Sequence, residues 1–292
     1  MTRSRANVDI FEEIVRVRRE GIPAALATIV GTRGSTPGRE SMRLLVLEDG
    51  TFLGTVGGGC LESDVYEAAK DVIRDEQSKT LTFRLTEFGA PDSGLLCGGE
   101  VTIFIEPITT PALWIYGGGH VSKALCQVAA MAGFRVTVAD DRASFADLTR
   151  FPWAADCVVA PFEESAAAMP IRANTYVVIV TRGHKEDGAV LEALARRASA
   201  GQTARFLGMI GSKTKRAVLF RHLREAGVDE AFLAQVRSPV GLQIGARSHE
   251  EIAVAVVGEL IQVRRTGQTA AAAWDGRRRR GVADAAPEST LG

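Results

Sequence analysis

Long apolar runs and an excess of charge are both missing from this sequence of 292 residues. No stretch of about 18 apolar residues is present, which excludes a helix that crosses a membrane. Its 35 acidic side chains balance 35 basic ones, so the surface has no net field that would attract nucleic acid or anionic lipid. The amino terminus also lacks the apolar core of a signal peptide. We therefore expect a cytoplasmic protein that binds neither nucleic acid nor membranes.

Cysteine is scarce as well, with four residues in the whole chain. Cys60 and Cys97 adjoin glycines, whereas Cys126 and Cys157 lie in apolar stretches. No pair has the C-x-x-C spacing of a zinc site, and the pattern is not that of a disulfide framework. The thiols that adjoin glycine are therefore the candidates for a chemical role.

The first half of the chain predicts a small mixed α+β domain over residues 1–109. An Asp-Gly turn at residues 49 and 50 predicts a hairpin, and two prolines in residues 107–111 mark the end of the domain. The first helix is predicted to turn Val8, Phe11, Ile14 and Val15 toward the core. The predicted elements are a helix over Val8–Glu20, strands over Ile22–Val30, Met42–Leu47 and Thr51–Val56, a helix over Leu61–Asp75, and strands over Thr80–Thr86 and Glu100–Glu106.

In the second half, strands and helices alternate, which predicts a parallel sheet with crossover helices. The fold class is therefore α/β, with a C-terminal Rossmann-like domain over residues 112–266 after the smaller α+β domain. Residues 267–292 lose periodicity and are expected to be disordered. The predicted elements are strands over Leu113–Tyr116, Arg135–Ala139, Tyr176–Thr181 and Arg205–Ile210, and helices over His120–Met131, Asp187–Ser199, Lys213–Ala226 and Ile252–Arg264.

A glycine-rich turn opens this second domain. Gly117 and Gly119 match the first two glycines of the dinucleotide fingerprint G-x-G-x-x-G, Ser122 stands at the third, and Asp140 ends the next strand. In that pattern, helix N–H groups bind a phosphate and the carboxylate accepts hydrogen bonds from a ribose. His120 and His184 follow strand ends in the same domain and are further candidates. The alternative is a Rossmann-shaped domain that binds no nucleotide.

A second glycine turn precedes Cys60. Gly57, Gly58 and Gly59 follow a strand and lead into a helix, so their N–H groups could form an anion-binding nest. The helix dipole would favour the thiolate of Cys60, which suits a soft metal or sulfur chemistry. The alternative is that this cysteine is a small hydrophobic side chain that packs its helix on the hairpin. Cys97 also adjoins glycines, but its pattern is a weaker signal, and packing is the favoured interpretation for it.

Hydroxyl and arginine side chains crowd the loop over residues 34–39. Ser35, Thr36 and Arg39 could hold an anionic ligand, and a capped surface loop is an equally good interpretation of the same residues.

These motifs together resemble the XdhC/CoxI family of molybdenum-enzyme maturation proteins. The resemblance runs from Phe11 to about Arg265 and rests on several segments in the same order. They are GSTPGRESMRLLVLEDG, GTVGGGCLE, LLCGGEVTIFIEP, YGGGHVSKAL, VTVADDR, FLGMIGSKTKR and SPVGLQIGARSHEEIAVAVVGEL. The sequence departs from the common family pattern at residues 181–184, which weakens a role for His184.

The resemblance implies an accessory protein and not an enzyme. Such proteins bind molybdenum cofactor (molybdopterin), protect it, support its sulfuration by a cysteine desulfurase and insert it into apo xanthine dehydrogenase, an enzyme of purine catabolism. It also implies that Cys60 matters most for holding the cofactor and its metal. The cofactor-binding candidates are then Ser35, Thr36, Arg39, Gly57, Gly58, Gly59, Cys60, Cys97, Gly117, Gly119, His120, Asp140 and His184.

Other functions stay open at this point. The glycine fingerprint alone would suit an NAD(P)-dependent oxidoreductase, although no acid/base group can be placed beside it. A scaffold that docks a molybdoenzyme, or a maturation factor for a carbon monoxide dehydrogenase or aldehyde oxidase, would carry the same motifs. Self-association is also open. Because both glycine turns present helix N-termini, we expect the functional crevice to lie between the two domains.

Overall fold

The computed structural model describes residues 9–84, 99–108 and 110–267. They form two sheets, one antiparallel with five strands and one parallel with six. Cys97 and the predicted disordered tail beyond Gly267 lie outside the described residues. No helix within the described ranges combines the length and the apolar character that a membrane crossing requires.

The first domain is an antiparallel sheet with a helix on each face. Its elements are α1 Ile10–Glu20, β1 Ala24–Arg33, β2 Arg43–Leu47, β3 Phe52–Gly54, α2 Gly59–Asp75, β4 Lys79–Arg84 and β5 Glu100–Pro107. The strand order is β3-β2-β1-β5-β4. Alternate residues of β1 face opposite sides, so Ala25 and Ala27 pack under α2 while Ala24 and Leu26 pack under α1.

The face that α1 buries differs from the predicted one. Phe11 and Val15 are 55% and 58% exposed, whereas Glu13 and Val17 are buried. Glu13 tolerates this position because both its carboxylate oxygens accept hydrogen bonds from Arg16, at 2.8 and 2.6 Å. The prediction placed the apolar side chains on one face without allowing for a buried ion pair, and so it was wrong for Phe11 and Val15.

The second domain is a parallel, doubly wound sheet with helices on both faces. Its elements are β6 Ala112–Tyr116, α3 His120–Met131, β7 Arg135–Asp140, β8 Asp156–Val159, α4 Phe162–Ala168, β9 Thr175–Ile179, α5 His184–Ser199, β10 Phe206–Met209, α6 Lys213–Glu225, α7 Glu230–Gln235, β11 Val236–Arg237 and α8 His249–Thr266. The strand order is β11-β10-β9-β6-β7-β8, and every neighbouring pair is parallel. The predicted fold class is therefore confirmed. Prediction missed β8, α4, α7 and β11, which are all short.

The two domains meet at the amino edge of the parallel sheet. Glu76, at the end of α2, lies 3.4 Å from the Tyr176 hydroxyl and 3.6 Å from Nε of Arg264. Arg205, just before β10, donates to the backbone carbonyls of Arg74 and Asp75. Tyr176 and Arg205 lie at the beginnings of β9 and β10.

A second contact joins the β2–β3 hairpin to the loop before β9. There the carboxylate of Glu48 accepts a hydrogen bond from the backbone N–H of Ala173 at 3.0 Å and lies 3.5 Å from Arg172.

These contacts show that the expected crevice between the two glycine turns was wrongly placed. The turn before Cys60 lies at the start of α2, and 17 residues of helix separate it from the interface at Glu76, a distance of about 25 Å at 1.5 Å per residue. The turn at Gly117–Gly119 lies at the carboxyl edge of the parallel sheet, away from the first domain. Each turn must therefore be considered as a site of its own.

Candidate functional site

The turn before α2 is an open glycine loop. Gly57, Gly58 and Gly59 have φ values of 121°, 77° and 64°, a left-handed region that side chains with a Cβ rarely adopt. Gly58 is the N-cap residue of α2 and has no side chain to accept hydrogen bonds from the first turn. A Cβ built on Gly58 would meet no atom of the described residues within 4 Å. Within the described ranges, no residue therefore covers the amino end of α2 at Gly58.

Glu62 holds this loop in place from within the helix. Its Oε2 accepts hydrogen bonds from the Thr55 hydroxyl at 2.5 Å and from the Val56 N–H at 3.3 Å. The same hydroxyl oxygen of Thr55 accepts from the Gly57 N–H at 3.1 Å. The backbone entering the turn is thus fixed before any ligand arrives.

Three segments that were separate candidates in the sequence converge here. Gly38 packs so closely on Val56 that a Cβ on Gly38 would lie 2.6 Å from the Val56 carbonyl oxygen. Gly99, two residues after Cys97, packs in the same way on the backbone of Ser35. The structure therefore brings the Ser35–Arg39 loop, the Gly57–Cys60 turn and the chain after Cys97 together.

In the Ser35–Arg39 loop, one predicted side chain is hydrogen-bonded within the loop and two are exposed. The Thr36 hydroxyl donates to the Gly38 carbonyl at 2.7 Å, so it stabilises the loop. Ser35 and Arg39 are exposed, and their side chains remain available to an anionic ligand.

Cys60 is exposed at the second position of α2. Among the other cysteines that the structure describes, Cys126 is buried and Cys157 is partly buried. Burial raises the pKa of the Cys126 thiol to about 12, and it also raises the pKa of the Cys157 thiol. Cys60 is thus the accessible thiol of the described residues, which contain no group of three or more His, Cys, Asp or Glu able to hold a metal ion.

In the Rossmann domain, the polar groups at the glycine turn already form hydrogen bonds within the protein. Asp140 is buried, and its Oδ2 accepts from the Gly118 N–H at 2.8 Å and from Nη2 of Arg142 at 3.0 Å. Its Oδ1 accepts from the backbone N–H and Nε of Arg142, at 3.0 and 2.8 Å. A carboxylate has about four lone-pair sites, so a ribose at Asp140 would have to displace Arg142.

The chain after β7 also covers this turn. A Cβ on Gly118 would overlap the carbonyl oxygen of Phe145. Arg150 donates from Nε to the Gly118 carbonyl at 3.1 Å, and the Arg142 guanidinium lies 3.6 Å from the centre of the Phe145 ring. Gly117, with a φ of 105°, packs against the backbone of Val180. Gly119, in contrast, has no atom of the described chain within 4 Å of its Cβ position.

A bidentate ion pair crosses the carboxyl edge between β7 and β9. Arg182 donates to both carboxylate oxygens of Asp141, at 2.6 and 2.7 Å. These hydrogen bonds lower the pKa of Asp141 to about 2. The pair ties together the two strand ends that flank the fingerprint turn.

The predicted histidines lie at helix starts in this second domain. His120 is exposed at the start of α3 and stacks on His249, with ring centroids 5.5 Å apart and planes at 15°. His184 is exposed at the start of α5, whose N-cap is Gly183. Neither belongs to the domain that holds Cys60, so the structure does not gather all predicted candidates into one site.

A groove beside Cys60 was missed from the sequence. It encloses about 310 Å³ and is lined by Leu44, Phe52, Gly59, Glu62, Ser63 and Tyr66. Four of these residues share one face of α2, at positions i, i+3, i+4 and i+7. That spacing in the sequence indicates that the four residues share a helix face. The strand residues that form the opposite wall could be identified only from the fold.

The fold and the site together define a Rossmann domain joined to an α+β domain that presents a cysteine at a glycine turn. The sequence pattern of the XdhC Rossmann domain matches residues 113–260, and that of the XdhC and CoxI family matches residues 17–84. The chain therefore belongs to the XdhC and CoxI family. This membership confirms the expectation of an accessory protein of molybdenum enzymes and not a catalyst.

Three relatives extend this result. The chain is 35% identical to the uncharacterized protein YqeB of Escherichia coli strain K12, over 88% of this chain and 46% of YqeB. It thus spans about half the length of that relative. It is 25% identical to a probable xanthine dehydrogenase subunit of Bacillus subtilis strain 168, over 83% of this chain and 93% of the relative. The molybdenum cofactor insertion chaperone PaoD of Escherichia coli strain K12 is also 25% identical, over 87% and 88% of the two chains.

Proposed function

We propose that this protein binds molybdenum cofactor and delivers it to an apo-molybdoenzyme of the xanthine dehydrogenase type. The observation that carries the proposal is the exposed Cys60 thiol at a glycine turn whose helix N-terminus has no side-chain cap. The names of two relatives, a cofactor insertion chaperone and a probable component of xanthine dehydrogenase, support the same class of client.

The donor groups at this turn suit the chemistry of the cofactor. Molybdenum cofactor is a pterin dithiolene with a terminal phosphate, so it has a soft metal–sulfur end and an anionic end. The thiol of Cys60 is a soft ligand, and the N–H groups at the start of α2 favour an anion. Arg39 and Ser35 are exposed on the adjoining loop. When bound, the cofactor would supply the molybdenum centre that the client enzyme needs, and these residues would hold and shield it.

The finer parts of the proposal concern partners. We propose that a cysteine desulfurase sulfurates the cofactor while it is bound, and that apo xanthine dehydrogenase of purine catabolism is the client. An exposed thiol would allow both partners to reach the cofactor, since no part of the described chain covers Gly58. A nucleotide in the second domain has less support, because Arg142 and Gly118 already fill the acceptor positions of Asp140.

The proposal can be tested on the full chain purified from cells that make the cofactor. We expect molybdenum by elemental analysis and oxidised pterin by fluorescence in the wild type, and a loss of at least about tenfold for Cys60→Ser, equivalent to one lost ligand of about 1.4 kcal/mol. Cys157→Ser is the matched control and should retain both signals, because that thiol is partly buried in the other domain.

Two results would contradict the proposal. One is a wild-type protein that carries neither molybdenum nor pterin after purification. The other is a Cys60→Ser protein that carries as much of both as the control.

A further inference from the structure

We propose that the groove beside Cys60 is the subsite for the pterin ring system, which would lie between the β2–β3 hairpin and α2. The inference rests on the proposed function, since it assigns a place to one part of the same cofactor. The groove is continuous with the glycine turn because Gly59, the first residue of α2 and the neighbour of Cys60, forms part of its lining.

The walls of the groove are apolar, aromatic and held in position. Phe52 and Tyr66 meet edge to face, with ring centroids 6.1 Å apart and an interplanar angle of 72°. The Tyr66 hydroxyl donates to the Gly50 carbonyl at 3.2 Å, and Lys70 Nζ lies 5.4 Å from the Tyr66 ring centroid. Leu44 is buried beneath them. A preformed aromatic wall of this kind binds flat rings at a low cost in entropy.

Polar groups stand at the helix side of the groove. Glu62 uses Oε2 to brace the glycine turn, and within the described residues its Oε1 receives no hydrogen bond. The amino-pyrimidinone edge of a pterin carries adjacent N–H donors, for which a carboxylate oxygen is a suitable acceptor. Ser63 is exposed at the rim and adds a hydroxyl.

The size of the groove agrees with a small flat ligand. Its volume of about 310 Å³ lies at the lower end of the range usual for small-molecule sites. A few convergent polar groups on a mainly apolar wall are also typical of such sites. The groove and the thiol together would then hold the ring and the metal end of one molecule on the same face of the first domain.

A variant that fills the groove tests this assignment. Ser63→Trp puts a bulky side chain at the rim without removing any buried group, whereas Ser78→Trp makes the same change at an exposed serine beyond the far end of α2. With pterin-6-carboxylate as the fluorescent probe, we expect the Kd for Ser63→Trp to rise at least about tenfold. We expect the Ser78→Trp protein to bind as the wild type does.

A second variant reports on the groove without blocking it. Phe52→Trp is a conservative change on the wall, and we expect its added tryptophan emission to be quenched when pterin-6-carboxylate binds. The wild type has its three tryptophans at positions 114, 153 and 274, all after the first domain, and should show no such quenching.

The outcomes separate this inference from the proposed function. An unchanged Kd for Ser63→Trp, an unquenched Phe52→Trp protein, or no binding of the probe to the wild type would overturn the groove assignment. If purified wild-type protein still carried molybdenum and pterin in those cases, the proposed function would stand without the groove. If it carried neither, the proposed function would fail as well.

Discussion

The two glycine turns of this protein have the same local pattern but differ in how closely the middle glycine of each turn is packed. Each follows a strand, contains three glycines and leads into a helix whose N-cap is glycine, Gly58 in one domain and Gly119 in the other. The described residues place no atom within 4 Å of a Cβ on either Gly58 or Gly119, and the exposed Cys60 lies two positions after Gly58. Around Gly118, Asp140 at the end of β7 and Phe145 and Arg150 in the chain after it cover the turn.

The difference teaches that a glycine turn predicts a possible anion site but not a free one. Backbone N–H groups at a helix start need partners, and either a ligand or the protein can provide them. In the Rossmann domain, the Asp140 carboxylate takes the Gly118 N–H. In the first domain, Glu62 accepts from the Val56 N–H just before the turn, and the described residues provide no side-chain cap for the start of α2.

The largest effect we expect is a difference in stability when a methyl group is added to the middle glycine of each turn. Gly118→Ala would push Cβ into the Phe145 carbonyl, and overpacking against rigid backbone should lower the free energy of unfolding by about 3 kcal/mol. Gly58→Ala meets no atom of the described residues and should cost less, about 1–2 kcal/mol, for a φ of 77° and ψ of −175° that almost only glycine adopts. Urea denaturation of both variants measures the difference. Equal losses of stability would show that the two turns are equally free, and the comparison would then fail.

The next effect concerns the cysteine associated with each turn. Cys60 follows the open turn and is exposed, whereas Cys126 lies in the helix after the covered turn, is buried and has a pKa of about 12. At neutral pH we expect iodoacetamide to alkylate Cys60 at least about 100-fold faster than Cys126, because the thiolate must be both formed and accessible. Peptide mapping by mass spectrometry assigns the label to each cysteine. Similar rates at both positions would contradict the difference in burial.

The smallest effect lies where the two domains meet. Burial raises the pKa of Glu76 despite the nearby Arg205, Arg264 and Arg265, and Tyr176 also faces it. The native state therefore binds more protons than the unfolded state, and the contribution of Glu76 to stability is lost as the pH rises from its unfolded value of 4.5 through the raised pKa.

The isosteric change Glu76→Gln should remove this pH dependence. Relative to the wild type, we expect the variant to gain on the order of 1 kcal/mol between pH 4 and neutral pH, as measured by urea denaturation at a series of pH values. The wild type, measured over the same series of pH values, is the reference. A wild type whose stability rose relative to Glu76→Gln over this range would contradict the sign.

Prediction of the fold succeeded where local signals were strong. The helix His120–Met131 was predicted to the residue because a glycine turn precedes it and its apolar side chains recur with helical spacing. The capping pair Ser248 and Glu251 likewise marked the start of α8, and both reciprocal hydrogen bonds are present. The strand β11 has two residues, too few for periodicity to show.

Prediction of the site was less complete, for a physical reason. Glycines, cysteine and hydroxyl residues can be recognised in a sequence, and Gly38, Gly57 and Gly99 do pack together around one loop. Phe52 and Tyr66 were missed because an aromatic residue on a strand or helix looks the same whether it fills a core or lines a groove. The placement of the two turns on distant faces could not be predicted either, since it depends on which edge of the sheet receives the first domain.

The sequence by itself determined the two fold classes, the family and the glycine turn that carries Cys60, because backbone propensity and residue chemistry act over a few neighbouring positions. Only the tertiary structure decided that no described residue covers Gly58, that Asp140 and Phe145 cover Gly118, and that the two turns lie far apart. Those features depend on residues that meet across the fold, such as Glu76 with Arg264 and Gly118 with Phe145, and no local pattern in the chain encodes such meetings.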